Sequence, residues 1–78
     1  MITIKQPLNQ IADIGQQVTN IYATKNSSNY IGKIILIEKK RYVKGLAYKI
    51  KFNDTEFWAT GKYILNNLIK STIWKILN

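Results

Sequence analysis

The chain contains no cysteine and no histidine. The first absence excludes disulfides and thiolate metal sites; the second removes the usual zinc ligand and the side chain best suited to proton transfer near neutrality. Acids are scarce as well, with only Asp13, Glu38, Asp54 and Glu56. Asp54 and Glu56 stand two apart, but beside a turn rich in lysine they read as solvated, ionised carboxylates rather than an acid–base pair. There is no glycine-rich phosphate loop, no nucleophile elbow and no serine near a base. The inventory therefore argues against catalysis and against a resident cofactor or metal, and leaves binding. No apolar run approaches the ~20 residues that span a bilayer. The first ten residues, MITIKQPLNQ, have neither the charged and apolar regions of a secretory signal nor the Arg/Ser richness of a transit peptide. The expectation is a protein that works in the compartment where it is made.

What is present suits one small domain. A chain of 78 residues buries only about 60% of its unfolded surface, so its core is thin. Its 46% apolar and 12% aromatic content belongs to the globular class rather than the disordered one. The formal net charge is +8, which points to an anionic partner: nucleic acid, an acidic protein surface or anionic lipid. A second reading competes, because Lys, Ile, Asn and Tyr dominate and all four have AT-rich codons. The single arginine, Arg41, among twelve basic residues also argues against a dedicated phosphate reader, since arginine supplies the bidentate fork.

The patterning is that of short strands. Ile2, Thr3, Ile4 and Lys5 could form a strand ended by Pro7, and Gly15 marks a turn. Residues 17–23 (QVTNIYA) read as the first regular strand, and 25–29 (KNSSN) as a polar loop. Residues 30–38 (YIGKIILIE) read as a second strand. The run Ile34, Ile35, Leu36, Ile37 implies burial on both faces or a sharp curl. Residues 46–52 and 56–60 form a hairpin about Asn53 and Asp54, both of which tolerate turn geometry. Tyr48, Ile50 and Phe52 alternate with Lys49 and Lys51. From Lys62 the period becomes helical, with Leu65, Leu68, Ile69, Ile73 and Ile76 on one side. Strands every ~10 residues with glycine at the corners describe a small all-β barrel. The expected fold is an SH3-like barrel of four to five strands, with residues 1–13 as an N-terminal extension, 14–65 as the barrel and 66–78 as a C-terminal amphipathic helix.

Three features are candidate contacts. The basic run Lys39, Lys40 and Arg41, with Lys44, would steer an acidic partner, or else is a solvated tip that protects the strand edges from aggregation. Phe57 and Trp58 are neighbours on one strand and face opposite sides, so the core cannot take both rings. The outward one is an interface anchor. Tyr22, Tyr30, Tyr42, Tyr48, Phe52 and Tyr63 could interleave with lysine to stack bases, but most fall on apolar sides and read as core. In the tail, Trp74 with Lys70 and Lys75 could lie on a membrane surface; docking on the chain's own barrel is the simpler reading.

The order of these motifs resembles one family. Ile14-Gly15-Gln16-Gln17-Val18 is similar to an IGQ-x-V start, and Tyr30-Ile31-Gly32-Lys33 before an apolar strand resembles a second element. Gly45, the alternating strand to Phe52, the Asn53-Asp54 turn and the Phe57-Trp58 pair resemble the remainder. The family is PetP, small peripheral SH3-like subunits of the cytochrome b6f complex in cyanobacteria and red-algal plastids, and the likeness spans residues 14–65. It implies a non-enzymatic subunit on the plastid stromal or cytoplasmic side of the thylakoid membrane, tuning photosynthetic electron transport without a redox cofactor. The lack of Cys and His fits, as it leaves no haem or cluster ligand. The AT-rich composition fits a plastid gene. Two places depart from the pattern: residues 24–28 (TKNSS) stand where the family has an Arg-rich stretch, and Gly61-Lys62 where it has acids. Two alternatives stay open: a basic nucleic-acid-binding barrel, and a ferredoxin-docking subunit of a photosynthetic NADH dehydrogenase-like complex.

Overall fold

The computed structural model describes residues 10–69. Four strands, β1 (Gln17–Thr19), β2 (Ile31–Lys39), β3 (Leu46–Lys51) and β4 (Glu56–Thr60), are followed by one short helix, α1 (Gly61–Asn67). They form a single antiparallel sheet in the order β1-β2-β3-β4. This is the mostly-strand architecture with a short C-terminal helix that the patterning implies. The expected strand over residues 2–5 and the tail positions Ile73, Trp74 and Ile76 lie outside the described residues.

The register sorts side chains onto two faces. Ile34 stands opposite Ile50, Ile37 opposite Tyr48, Tyr48 opposite Ala59 and Ile50 opposite Phe57. Ile34, Tyr48, Ile50, Phe52, Ala59 and Val18 form the core, with Ile37, Leu46 and Phe57 packed against it. The puzzle of four consecutive apolar residues in β2 resolves as a bulge between Ile34 and Leu36. One extra residue, Ile35, shifts the phase, so Ile34 and Ile37, three apart, share the inner face, while Leu36 turns outward. Each isoleucine, valine or phenylalanine side chain buried there contributes about 1.5–3 kcal/mol.

The first strand is shorter than the alternation of residues 17–23 suggests. It stops at Thr19 because Asn20, 4% exposed, starts a turn. Its Oδ1 accepts from the Tyr22 N–H at 2.9 Å and its Nδ2 donates to the Asn29 carbonyl at 3.1 Å. That local bonding displaces the strand ladder. The polar loop beyond is anchored rather than loose: Asn29 Oδ1 accepts from the Asp54 N–H at 2.7 Å, joining it to the β3–β4 turn. Gly15 and Gly45 adopt φ of 97° and 82°, the left-handed conformation that turns at the starts of β1 and β3 require.

The helix begins earlier than residue 66, at Gly61, and gives way to extended backbone at Leu68; residues 70–78 of the expected helix lie outside the described residues. Thr60 caps it, its Oγ1 accepting from the Tyr63 N–H at 3.3 Å. Its buried anchor is Ile64, with no exposed surface, whereas Leu65, expected inside, is 59% exposed. Leu68 is extended and bridges antiparallel to Val18, and the Ile69 N–H donates to the Gln17 carbonyl at 3.0 Å. At Leu68 and Ile69 the helical period gives way because the backbone takes up a pairing with β1 instead. Among the described residues no helix is long and apolar enough to cross a membrane.

Candidate functional site: the outer sheet face and the edge of β4

β4 sits at one edge of the sheet and presents different chemistry on its two sides. Phe57 turns inward, 5.2 Å from Phe52 between ring centroids, and meets Tyr22 and Tyr63 edge-on at 6.0 and 5.8 Å. Trp58 therefore turns outward and is 38% exposed, so the leftover ring of the aromatic pair is the indole.

Trp58 is held in place by two cations. It lies directly across from Lys49 in the β3–β4 register, with the Lys49 ammonium 5.7 Å from the ring centroid and that of Lys40 at 4.0 Å. At such sites a cation over an indole is worth about 0.5–1 kcal/mol. Each lysine also has a carboxylate: Lys40–Glu38 at 3.1 Å and Lys49–Glu56 at 2.9 Å. The bond from Lys49 lowers the Glu56 carboxyl from its ordinary value against the opposing effect of desolvation, and the charges of Lys49 and Lys51 act in the same direction as the bond. The result is an indole splinted on the sheet face rather than a free side chain. Restricting its rotamers in advance lowers the entropy lost when a partner covers it.

Around this splint the outer face is basic and partly apolar. Across the sheet run Leu36, Lys49 and Trp58, and beside them Lys33, Lys51 and Glu56. Glu38 and Glu56 are committed to Lys40 and Lys49; Lys33 and Lys51 have no salt-bridge partner among the described residues. That arrangement gives a face of net positive charge with an aromatic at its edge, suited to an acidic surface.

The side chains of the basic run have different partners. The Lys39 ammonium folds back to donate to the carbonyls of Lys40 at 3.0 Å and Val43 at 2.9 Å, closing the β2–β3 turn. Lys40 belongs to the Trp58 splint, while Arg41 and Lys44 are exposed. Tyr42 is exposed too, as is Tyr22 at 79%, so these two tyrosines are not core. Tyr48 and Phe52 are buried, and Phe57 and Tyr63 pack against the core. Trp74 lies outside the described residues.

Lys33, Lys49, Lys51 and Tyr22 are the contributors that composition alone did not single out. Lys49 and Lys51 were legible from the hairpin: a turn at Asn53 and Asp54 places Lys51 opposite Glu56 and Lys49 opposite Trp58; Lys33, on β2, depends on the β2–β3 register. Nothing local marks Tyr22, whose position depends on the buried Asn20. The far side of β4 is lined by Tyr22, Phe57, Trp58, Ala59, Thr60 and Tyr63 around a groove of about 450 Å³. Tyr63 fixes the helix against β1, its hydroxyl donating to the Thr19 carbonyl at 2.9 Å and accepting from the Ile21 N–H at 3.1 Å. Burial raises the Tyr63 phenol above its ordinary value, outweighing the lowering effect of the Ile21 N–H. Comparison with protein-family models, with curated proteins and with solved structures finds no match to this chain.

Proposed function

We propose that this chain is a non-enzymatic SH3-like accessory subunit that docks peripherally on a larger photosynthetic membrane complex through the outer face of its sheet. The observation that carries the docking role is Trp58, exposed yet splinted between Lys40 and Lys49 beside Lys33 and Lys51. An aromatic anchor on a face of net positive charge, where Lys33 and Lys51 have no salt-bridge partner among the described residues, is the composition of an interface for an acidic protein surface. The SH3-like reading is supported by the return of residues 68 and 69 to β1. Such a return begins to curl a four-stranded meander toward closure and covers the β1 edge. The choice of partner rests on the sequence resemblance to the PetP family, which makes the cytochrome b6f complex the first candidate. The place of action on this reading is the stromal or cytoplasmic side of the thylakoid membrane.

The test is fractionation of membranes from the native source, followed by native electrophoresis. Co-migration with the cytochrome b6f complex, lost on a mild salt wash, is the expected result, because exposed charge pairs are screened within ~10 Å at 0.1 M salt. Recovery only in the soluble fraction, at any ionic strength, refutes the proposal.

A further inference from the structure

The groove beside β4 has a feature that side-chain docking alone leaves unused, which is an open row of backbone groups. The Phe52 N–H donates to the Thr55 carbonyl at 2.7 Å and closes the hairpin. Bonded and non-bonded pairs alternate along an antiparallel ladder. The next bonded pairs are therefore Ile50–Phe57 and Tyr48–Ala59 in the observed register. Glu56 and Trp58 consequently direct their N–H and C=O groups away from β3, toward the sheet's edge. Among the described residues neither backbone has a hydrogen-bond partner there. Exposed edges are commonly blunted by proline, a bulge or several charges; β4 has no proline, pairs with β3 without a bulge and carries one charge, at Glu56. The groove of about 450 Å³ follows this edge, with Tyr22 and Tyr63 on one side and Trp58 on the other.

We infer that β4 accepts an added strand, and that the strand is an extended acidic segment of the partner protein. The inference rests on the docking role proposed above and specifies how the partner is held. An added strand would bond to the Glu56 and Trp58 backbones, and its alternate side chains would fall on the tyrosine side and the Trp58 side in turn. On the Trp58 side they would meet Lys40, Lys49 and Lys51 against Glu38 and Glu56, a surplus of positive charge, so carboxylates belong there. Charge excludes the nearer candidates. Residues 1–9 and 70–78 of this chain contain lysines and no acid, so neither end supplies the complement. A second copy paired edge to edge would set two faces of surplus positive charge side by side, in a chain of net charge +8.

Hydrogen-exchange mass spectrometry of the full chain, free and bound to purified cytochrome b6f complex, tests this. Phe57 and Ala59 amides are already bonded to β3, so binding should slow exchange at Glu56 and Trp58, by about a hundredfold or more. A Glu56→Pro variant removes the outward N–H together with the carboxylate that pairs with Lys49; edge positions accept proline. Glu56→Gln, which loses the same carboxylate but keeps the N–H, is the reference: the proline variant should bind about tenfold more weakly than the glutamine one, as expected for one backbone bond lost with its partner left unpaired. Binding without added protection at Glu56 and Trp58, with the proline and glutamine variants equal, overturns strand addition and leaves the docking role standing. Absence of any complex overturns both. Protection already present in the free chain also overturns the inference: independent of concentration, it assigns the edge to the chain's own ends, and rising with concentration, to a second copy.

Discussion

Gly32 offers the sharpest prediction about the scaffold. It lies in β2 opposite Val18, with no positive φ, so its role is room rather than backbone freedom. A Cβ built there would stand 2.6 Å from Cε2 of Phe52, closer still to Cδ2, and 2.7 Å from the Lys51 carbonyl oxygen. The Phe52 ring is buried and has Phe57 beside it, so it has little space to retreat, and the carbonyl moves only if β3 moves. Overpacking a core costs about 1–3 kcal/mol, and a clash with backbone places Gly32→Ala at the upper end, about 3 kcal/mol. For a domain of this size about 4–8 °C is lost per kcal/mol, so Tm should fall by roughly 12–24 °C. Urea titration followed by far-ultraviolet circular dichroism measures it. Phe52→Leu should destabilise alone but partly rescue Gly32→Ala, with a coupling of about 1–2 kcal/mol in a double-mutant cycle. A loss under about 0.5 kcal/mol, or strictly additive effects, would refute the packing argument.

Two further outcomes follow from the site. Tyr63→Phe removes the part-buried bond to Thr19 and leaves the exposed Ile21 N–H to water, so it should cost about 0.5–1.5 kcal/mol in thermal or urea unfolding. Because the Tyr63 phenol is raised in the folded chain, its contribution is intact below the ordinary tyrosine value and lost as pH rises through the folded one; the variant should flatten that alkaline limb in melts across the range. Against single-stranded oligonucleotides, the chain should show no micromolar binding with a log–log salt slope near −0.7 per phosphate. Such binding, measured by fluorescence anisotropy at several salt concentrations, would favour the nucleic-acid reading instead.

The hairpin at Asn53 and Asp54 was legible because its turn chemistry and its period of two agree, and the outward indole followed from two adjacent rings on one strand. Other elements were decided at longer range. The bulge at Ile35 cannot be read from four aliphatic residues in a row, since only the partner strand reveals which one is extra. The apolar stripe through Leu65 points away from the residue the core takes, Ile64, because the helix is set by the Thr60 cap and by Tyr63 against β1 rather than by its own stripe. The strand over residues 17–23 failed for a readable reason: Asn20 is a turn former, and its buried amide bonds to both sides of the loop. At the candidate site, Lys49 and Lys51 were accessible through hairpin arithmetic. The departure of Lys39 from the basic cluster was not, because its ammonium seeks the carbonyls of its own turn.

The most direct measurement of the central claim is the behaviour of Trp58→Ala. Its ring is partly exposed and splinted by Lys40 and Lys49, so the account predicts a folded chain with a near-wild-type circular dichroism spectrum. Its affinity for the cytochrome b6f complex should fall by about 2 kcal/mol or more, the loss expected of an interface anchor. A chain that unfolds would make Trp58 a core residue, and a folded chain that binds the complex as tightly as the wild type would contradict the account.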